Sequence, residues 1–194
     1  MLTEKLKKYN IILGSASPRR KELLKGIGLN FSIKITDKEE SYPTGLKDVQ
    51  IVEFLAKQKQ EFLSKGLKSN DLLITADTIV SQKGEVLHKP KDKNDAKNIL
   101  FNLSGNSHRV ITGICIKTLE KKVIFSTITT VQFNKLSETE IEYYINKFKP
   151  FDKAGSYGIQ DWSSIFVEKI DGCFYNVVGF PLPKFYKLIH SILK

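Results

Sequence analysis

Gly14-Ser15-Ala16-Ser17-Pro18-Arg19-Arg20-Lys21-Glu22-Leu23-Leu24, GSASPRRKELL, follows the apolar run Ile11-Ile12-Leu13. A strand, a turn of small residues and a helix start are therefore expected in immediate succession. Ser17 supplies a side-chain oxygen for free amides of the first turn, and proline at the first helical position gives up no hydrogen bond. Gly26 and Gly28 supply the stop. Such a unit opens an α/β fold. Its arginines are conspicuous: the chain holds 31 lysines and arginines, of which only Arg19, Arg20 and Arg109 are arginine. Serine hydroxyls, helix-start amides and a guanidinium fork together suit a phosphate, although the glycine-lysine-serine/threonine ending of a P-loop is absent and plain helix capping explains the serine equally well.

Alternating strands and helices continue outward from this unit. Strands are read at Asn10 to Leu13, around Phe31 to Ile35 and at Asp71 to Val80. A helix over Asp48 to Ser64 should turn Ile51, Phe54, Leu55, Gln58 and Phe62 to the sheet, with Lys57 and Lys59 elsewhere. A further helix runs through Asp92 to Leu103, and strands follow at His108 to Lys117 and Val123 to Phe133. Ser137 and Glu140 form a capping box. Lys153 to Gln160 reads as loop, Ile165 to Lys169 and Phe174 to Val178 as a strand pair, and Pro183 to Leu193 as a closing helix. The expected architecture is α/β, a mixed central sheet with flanking helices, in one domain over residues 1–194.

Composition narrows the function classes. Hydrophobic residues make up 41% and charged residues 27%, ordinary for a soluble globular protein. No apolar run approaches the ~20 residues of a membrane span. The N-terminus MLTEKLKKY lacks a secretion signal, and Cys115 and Cys173 stand alone without CxxC spacing, so a cytoplasmic protein with two reduced thiols is expected. The net charge of +10 favours anionic partners, yet the lysines are dispersed and no basic-aromatic stripe or helix-turn-helix signature accompanies them. A stable nucleic-acid partner is therefore not expected.

Asp77, in Ala76-Asp77-Thr78-Ile79-Val80, is an acid within a buried strand, and it must be paired, metal-bound or protonated. A metal ligand or a general base are the functional readings; a capped turn or a bound lysine are the structural ones. Lys89 before Pro90 reads alone as a surface lysine. His88, His108 and His190 have no partners at metal-binding spacing, so neither zinc nor a Ser-His-Asp triad is supported.

The ordered set of SASPRR, LAKQK, ADT, KP, LSG, HRVITG, KAGSYGIQ and NVVGFP resembles the Maf (septum formation) family of nucleoside triphosphate pyrophosphatases, from about Ile11 to the C-terminal helix. The resemblance implies an elongated, two-lobed fold related to the inosine triphosphate pyrophosphatases, with a deep cleft. It also implies cleavage between the α- and β-phosphates with Mg²⁺ or Mn²⁺, and family members are often dimeric, which makes a homodimer an expected assembly. Matching positions are Asp77 as proton acceptor, Lys59, Lys89 and Arg20 as catalytic cations, and Glu40 with Asp77 as metal ligands. Ser15, Arg19, Thr78 and Gln160 match substrate and specificity positions of the branch that acts on dTTP and UTP, modified pyrimidine nucleotides included. Asp161-Trp162-Ser163-Ser164 departs from the glycines usual after that glutamine. The competing reading is a non-catalytic nucleotide- or nucleic-acid-binding module linked to cell division.

Overall fold

The computed structural model describes residues 2–193. Helix α1 (Leu2–Leu6) precedes β1 (Asn10–Gly14), α2 (Pro18–Gly26) and β2 (Ser32–Ile33). Next come α3 (Val49–Leu63), β3 (Asp71–Gln82), β4 (Glu85–Leu87) and α4 (Lys93–Leu103). The second half holds β5 (Ser107–Lys117), β6 (Lys122–Phe133), α5 (Glu138–Phe148), β7 (Val167–Asp171), α6 (Phe174–Val178) and α7 (Leu182–Ile192). The strands form one mixed sheet in the order β2-β1-β3-β5-β6-β7, with β4 beside β3. Strands β1, β2 and β3 run parallel, and the remaining pairs are antiparallel.

The long strand β3 organises the molecule. Leu72, Ile74 and Ala76 face a core shared with Leu24 of α2 and with Phe185 and Ile189 of α7. Further along, Val80 joins a second core with Leu100 of α4, Tyr144 of α5 and Phe133. These two clusters lie toward opposite ends of the strand. Helix α3 covers the other face through Ile51, Val52 and Leu55, against Ile79 and Ile111. It lies so close that a Cβ on Gly113 would stand 2.5 Å from the Val52 carbonyl oxygen, so only glycine lets helix and sheet approach to this distance.

Three expectations are corrected. The buried stripe of α3 is Ile51, Val52, Leu55, Ala56, Gln60 and Leu63, so Phe54, Gln58 and Phe62 flank it and do not form its centre. The strand at residues 31–35 shrinks to Ser32–Ile33, because only these residues pair with β1 at the sheet edge. Phe174–Val178 is a helical turn, not a strand. Its β-branched and aromatic composition is overridden by Asn176, whose side-chain amide donates to the Val110 carbonyl at 2.9 Å and to Thr129 Oγ1 at 3.0 Å. Gly179, at φ 119°, ends the turn. Strand β7 pairs with β6.

His108 is structural. Its Nε2 meets the Tyr157 hydroxyl at 2.8 Å, and the ring packs edge-on against Phe133. Burial pushes its pKa down from 6.5 to about 4. The folded ring thus refuses a proton that the unfolded chain accepts once the pH falls below the ordinary value. Stability is complete above pH ~6.5 and is lost as pH drops toward 4, by about 3 kcal/mol at the acid limit. Urea denaturation between pH 7 and pH 4 should show this slope, and His108→Gln should flatten it.

Candidate active site

The cleft lies where the sheet opens. Strand β1 pairs with β3 only as far as Gly14 opposite Thr75, and β4 pairs with it only from Val80 onward, where Leu87 ends β4. Ala76 to Ile79 therefore have no neighbouring strand on that edge, and their polar groups face the gap. A cavity of about 430 Å³ fills it, walled by residues 14–20 on one side and by residues 152–154 and 157–160 on the other.

Ser15, Arg19, Arg20, Glu40, Lys59, Asp77, Thr78, Lys89 and Gln160 all line this one cavity. They arrive on the β1–α2 turn, the first turn of α2, the loop after β2, helix α3, strand β3, the loop after β4 and the loop before β7. Five cations, with Lys153 joining Arg19, Arg20, Lys59 and Lys89, oppose the carboxylates of Glu40, Asp77 and Asp152. The excess of positive charge suits a polyanionic occupant.

At the centre, Lys59 Nζ lies 2.5 Å from Asp77 Oδ1, 2.9 Å from Glu40 Oε2 and 3.3 Å from the Ala76 carbonyl oxygen. The side chains of Lys59 and Asp77 are only 13% and 15% exposed, so each charge compensates the other in a poorly solvated place. Gln58 donates to the Ser41 carbonyl at 3.0 Å. It thereby tethers the loop that carries Glu40, which explains why it stands off the apolar stripe of α3.

The two neighbouring arginines do different things. Arg20 is buried and spends four donor contacts on the protein: Nε on the Gly179 carbonyl at 2.9 Å, Nη1 on Ser15 Oγ at 3.1 Å and the Ala76 carbonyl at 2.9 Å, and Nη2 on Thr78 Oγ1 at 2.9 Å. Burial lowers its pKa, opposed by the charge of Asp77. The Thr78 hydroxyl is also engaged with Thr112 at 2.9 Å. Arg19 is partly exposed and makes one ion pair among the described residues, 3.4 Å to Asp152. Lys89 and Gln160 are exposed at the cleft without a hydrogen-bonding partner among the described residues.

Asp152 and Lys153, which line the cavity, and Thr112, buried behind Thr78, escaped recognition in the sequence. Thr112 sits opposite Thr78 in the β3–β5 register, a relation invisible before the strands are paired. Asp152 and Lys153 immediately precede the AGSYGIQ segment, and their charges beside a glycine-containing loop were the available signal.

A family model described as Maf-like protein matches residues 10–192. The chain is 44% identical over 194 residues to a protein of Flavobacterium johnsoniae named dTTP/UTP pyrophosphatase, covering all of both chains. It is 45% identical over 183 residues to a protein of the same name from Bacteroides thetaiotaomicron, covering 93% of this chain and 95% of the relative. Among solved structures, a nucleoside-triphosphatase / dITP/XTP pyrophosphatase from Mycobacterium abscessus aligns with a TM-score of 0.41 and 14% identity, over 66% of this chain and 75% of the other.

Proposed function

Because this chain belongs to the Maf family, we propose that it is a nucleoside triphosphate pyrophosphatase that hydrolyses dTTP and UTP to the monophosphate and pyrophosphate. Modified pyrimidine nucleotides fall within the same substrate class. The observation that carries the reading is the Asp77–Lys59–Glu40 cluster at the gap in the sheet, at the base of a cation-rich cleft.

In this reading Arg19 and Lys89 hold the phosphates, and the Lys59 ammonium adds positive charge where pyrophosphate departs. Ser15 Oγ already accepts from Ser17 N and from Arg20, so its own proton is directed to a phosphate oxygen. Asp77 takes the proton of the attacking water. The water oxygen bonds to the α-phosphorus, the α–β bridging P–O bond breaks, and its electron pair leaves with pyrophosphate. Gln160, with an amide donor and acceptor, faces the pyrimidine edge.

Glu40 and Asp77 suit a divalent cation: both are hard oxygen donors, and one lysine nitrogen within 2.9 Å of each brings them to a common point. Mg²⁺ and Mn²⁺ favour such a set of carboxylates completed by phosphate oxygens and water. When bound, the cation neutralises phosphate charge and polarises the phosphoryl group. No cluster of three acidic, histidine or cysteine side chains occurs among the described residues, so the substrate's own phosphates complete the site. No helix among the described residues is long and apolar enough to cross a membrane. Two free thiols and a nucleotide substrate suit the cytoplasm.

A panel of nucleoside triphosphates with Mg²⁺ or Mn²⁺ tests the reading. Monophosphate and pyrophosphate should appear, with dTTP and UTP about tenfold or more ahead of purine nucleotides. Orthophosphate and diphosphate as products would overturn the cleavage position. Binding without turnover of any nucleotide would favour the binding module.

A further inference from the structure

The segment that departs from the family's glycines, Asp161-Trp162-Ser163-Ser164, builds a closed network directly behind Gln160. Asp161 Oδ1 accepts from the Ser163 amide at 3.0 Å and lies 2.8 Å from Ser163 Oγ. Asp161 Oδ2 accepts from the Tyr144 hydroxyl at 3.2 Å. The Gly158 amide donates to Ser163 Oγ at 3.1 Å and to the Tyr144 oxygen at 3.2 Å, while the Gly158 carbonyl lies 2.9 Å from Ser163 Oγ and 2.9 Å from the Asp161 amide nitrogen. Both polar groups of Gly158 are thus held by side chains of this network. A Cβ on Gly158 would stand 2.8 Å from Asp161 Oδ2, so a side chain here would push the Asp161 carboxylate out of its place in the network.

Ser163 and Tyr144 are fully buried. Trp162 stacks on Phe148 and Tyr144 at centroid distances of 6.3 and 6.2 Å, and meets Phe166 edge-on at 5.6 Å. The turn 158–163 is therefore bonded to itself and anchored on α5 by both a polar and an aromatic contact. Gln160 stands at its exposed apex, on the cleft. An amide on a free loop presents its donor and acceptor to any base edge, whereas one on a fixed turn presents them in one orientation.

We propose that Asp161, Ser163 and Tyr144 are positioning residues that hold the Gly158–Gln160 turn in the orientation that selects the pyrimidine base. The inference rests on the dTTP/UTP reading of the cleft. Asp161 does not line the cavity; it acts through Ser163 and Gly158. Tyr144 is kept as a phenol by burial, which raises its pKa, so it remains a donor toward Asp161.

Asp161→Ala and, independently, Ser163→Ala test this. Each should raise KM for UTP about tenfold with kcat changed less than threefold, and lower the preference for UTP over CTP about tenfold. Affinity for inorganic pyrophosphate, which has no base, should stay within twofold. Emission of Trp162, the only tryptophan, should shift to the red as the turn loosens. Asp161→Asn retains an acceptor for Ser163 and should recover most of the selectivity. Unchanged base preference in both alanine variants would overturn the proposal, as would an equal loss for every nucleotide and for pyrophosphate. Turnover of dTTP and UTP by the unaltered protein checks the underlying reading separately: its absence overturns that reading, and the selective role of the turn with it.

Discussion

Asp77→Asn should lower turnover of dTTP and UTP about 10³-fold while nucleotide affinity stays within a few fold. The amide matches the carboxylate in size and fits the same position on β3, so the β1–β3 and β3–β5 pairing flanking it is undisturbed. What disappears is the negative charge 2.5 Å from Lys59 and the site that takes a proton from water. General-base catalysis by a positioned group is worth about 10²–10⁴-fold, and the loss of half of the Glu40–Asp77 cation site adds to it. Binding is spared for an electrostatic reason. Removing a carboxylate from a cleft that holds a triphosphate reduces repulsion, and Lys59 keeps Glu40 and the Ala76 carbonyl as partners. The check is steady-state kinetics beside equilibrium titration of nucleotide without turnover. Near-normal kcat would remove Asp77 from the chemistry, and loss of binding with unchanged kcat would make it a substrate contact.

The strands that form the site announced themselves because their patterns are local. Residues 72–80 hold six apolar residues around Asp77, and the capping box at Ser137 and Glu140 occurs as read, with its reciprocal bonds. Convergence of Ser15, Lys59, Asp77, Lys89 and Gln160 on one cavity is not local, and only the ordered resemblance pointed to it. Two kinds of information were out of reach. The helical phase of α3 depends on which face meets Gly113, and the choice between Phe54 and Val52 as a core residue is made by that close approach. The division of labour between Arg19 and Arg20 depends on acceptors drawn from Gly179 and Ala76, residues 159 and 56 positions away. Two adjacent arginines look alike in a sequence; only the paths of their side chains separate a surface cation from an internal one.

That separation leads to a second large effect, on stability. Arg20→Lys should cost about 3 kcal/mol and reduce turnover on every nucleotide alike, whereas Arg19→Lys should leave the unfolding midpoint unchanged. The Arg20 guanidinium spans the β1–α2 turn at Ser15, the open edge of β3 at Ala76 and Thr78, and the end of α6 at Gly179. An ammonium is a point donor and cannot reach acceptors on three sides of a planar fork. At least two buried acceptors would lose their partner, each at about 1–3 kcal/mol. For a chain of this length each kcal/mol lowers Tm by about 2–4 °C, so a drop of roughly 6–12 °C is the quantity to measure by calorimetry. The kinetic consequence follows from the same bonds: Ser15, Thr78 and the Gly179 turn all shift when their common anchor is lost, and each lines the cleft. That displacement precedes any contact with a base, so the ratio of rates for UTP, dTTP and CTP should be preserved while each falls. A normal Tm with a loss confined to one base would instead make Arg20 a specificity contact and leave the four internal bonds without energetic weight.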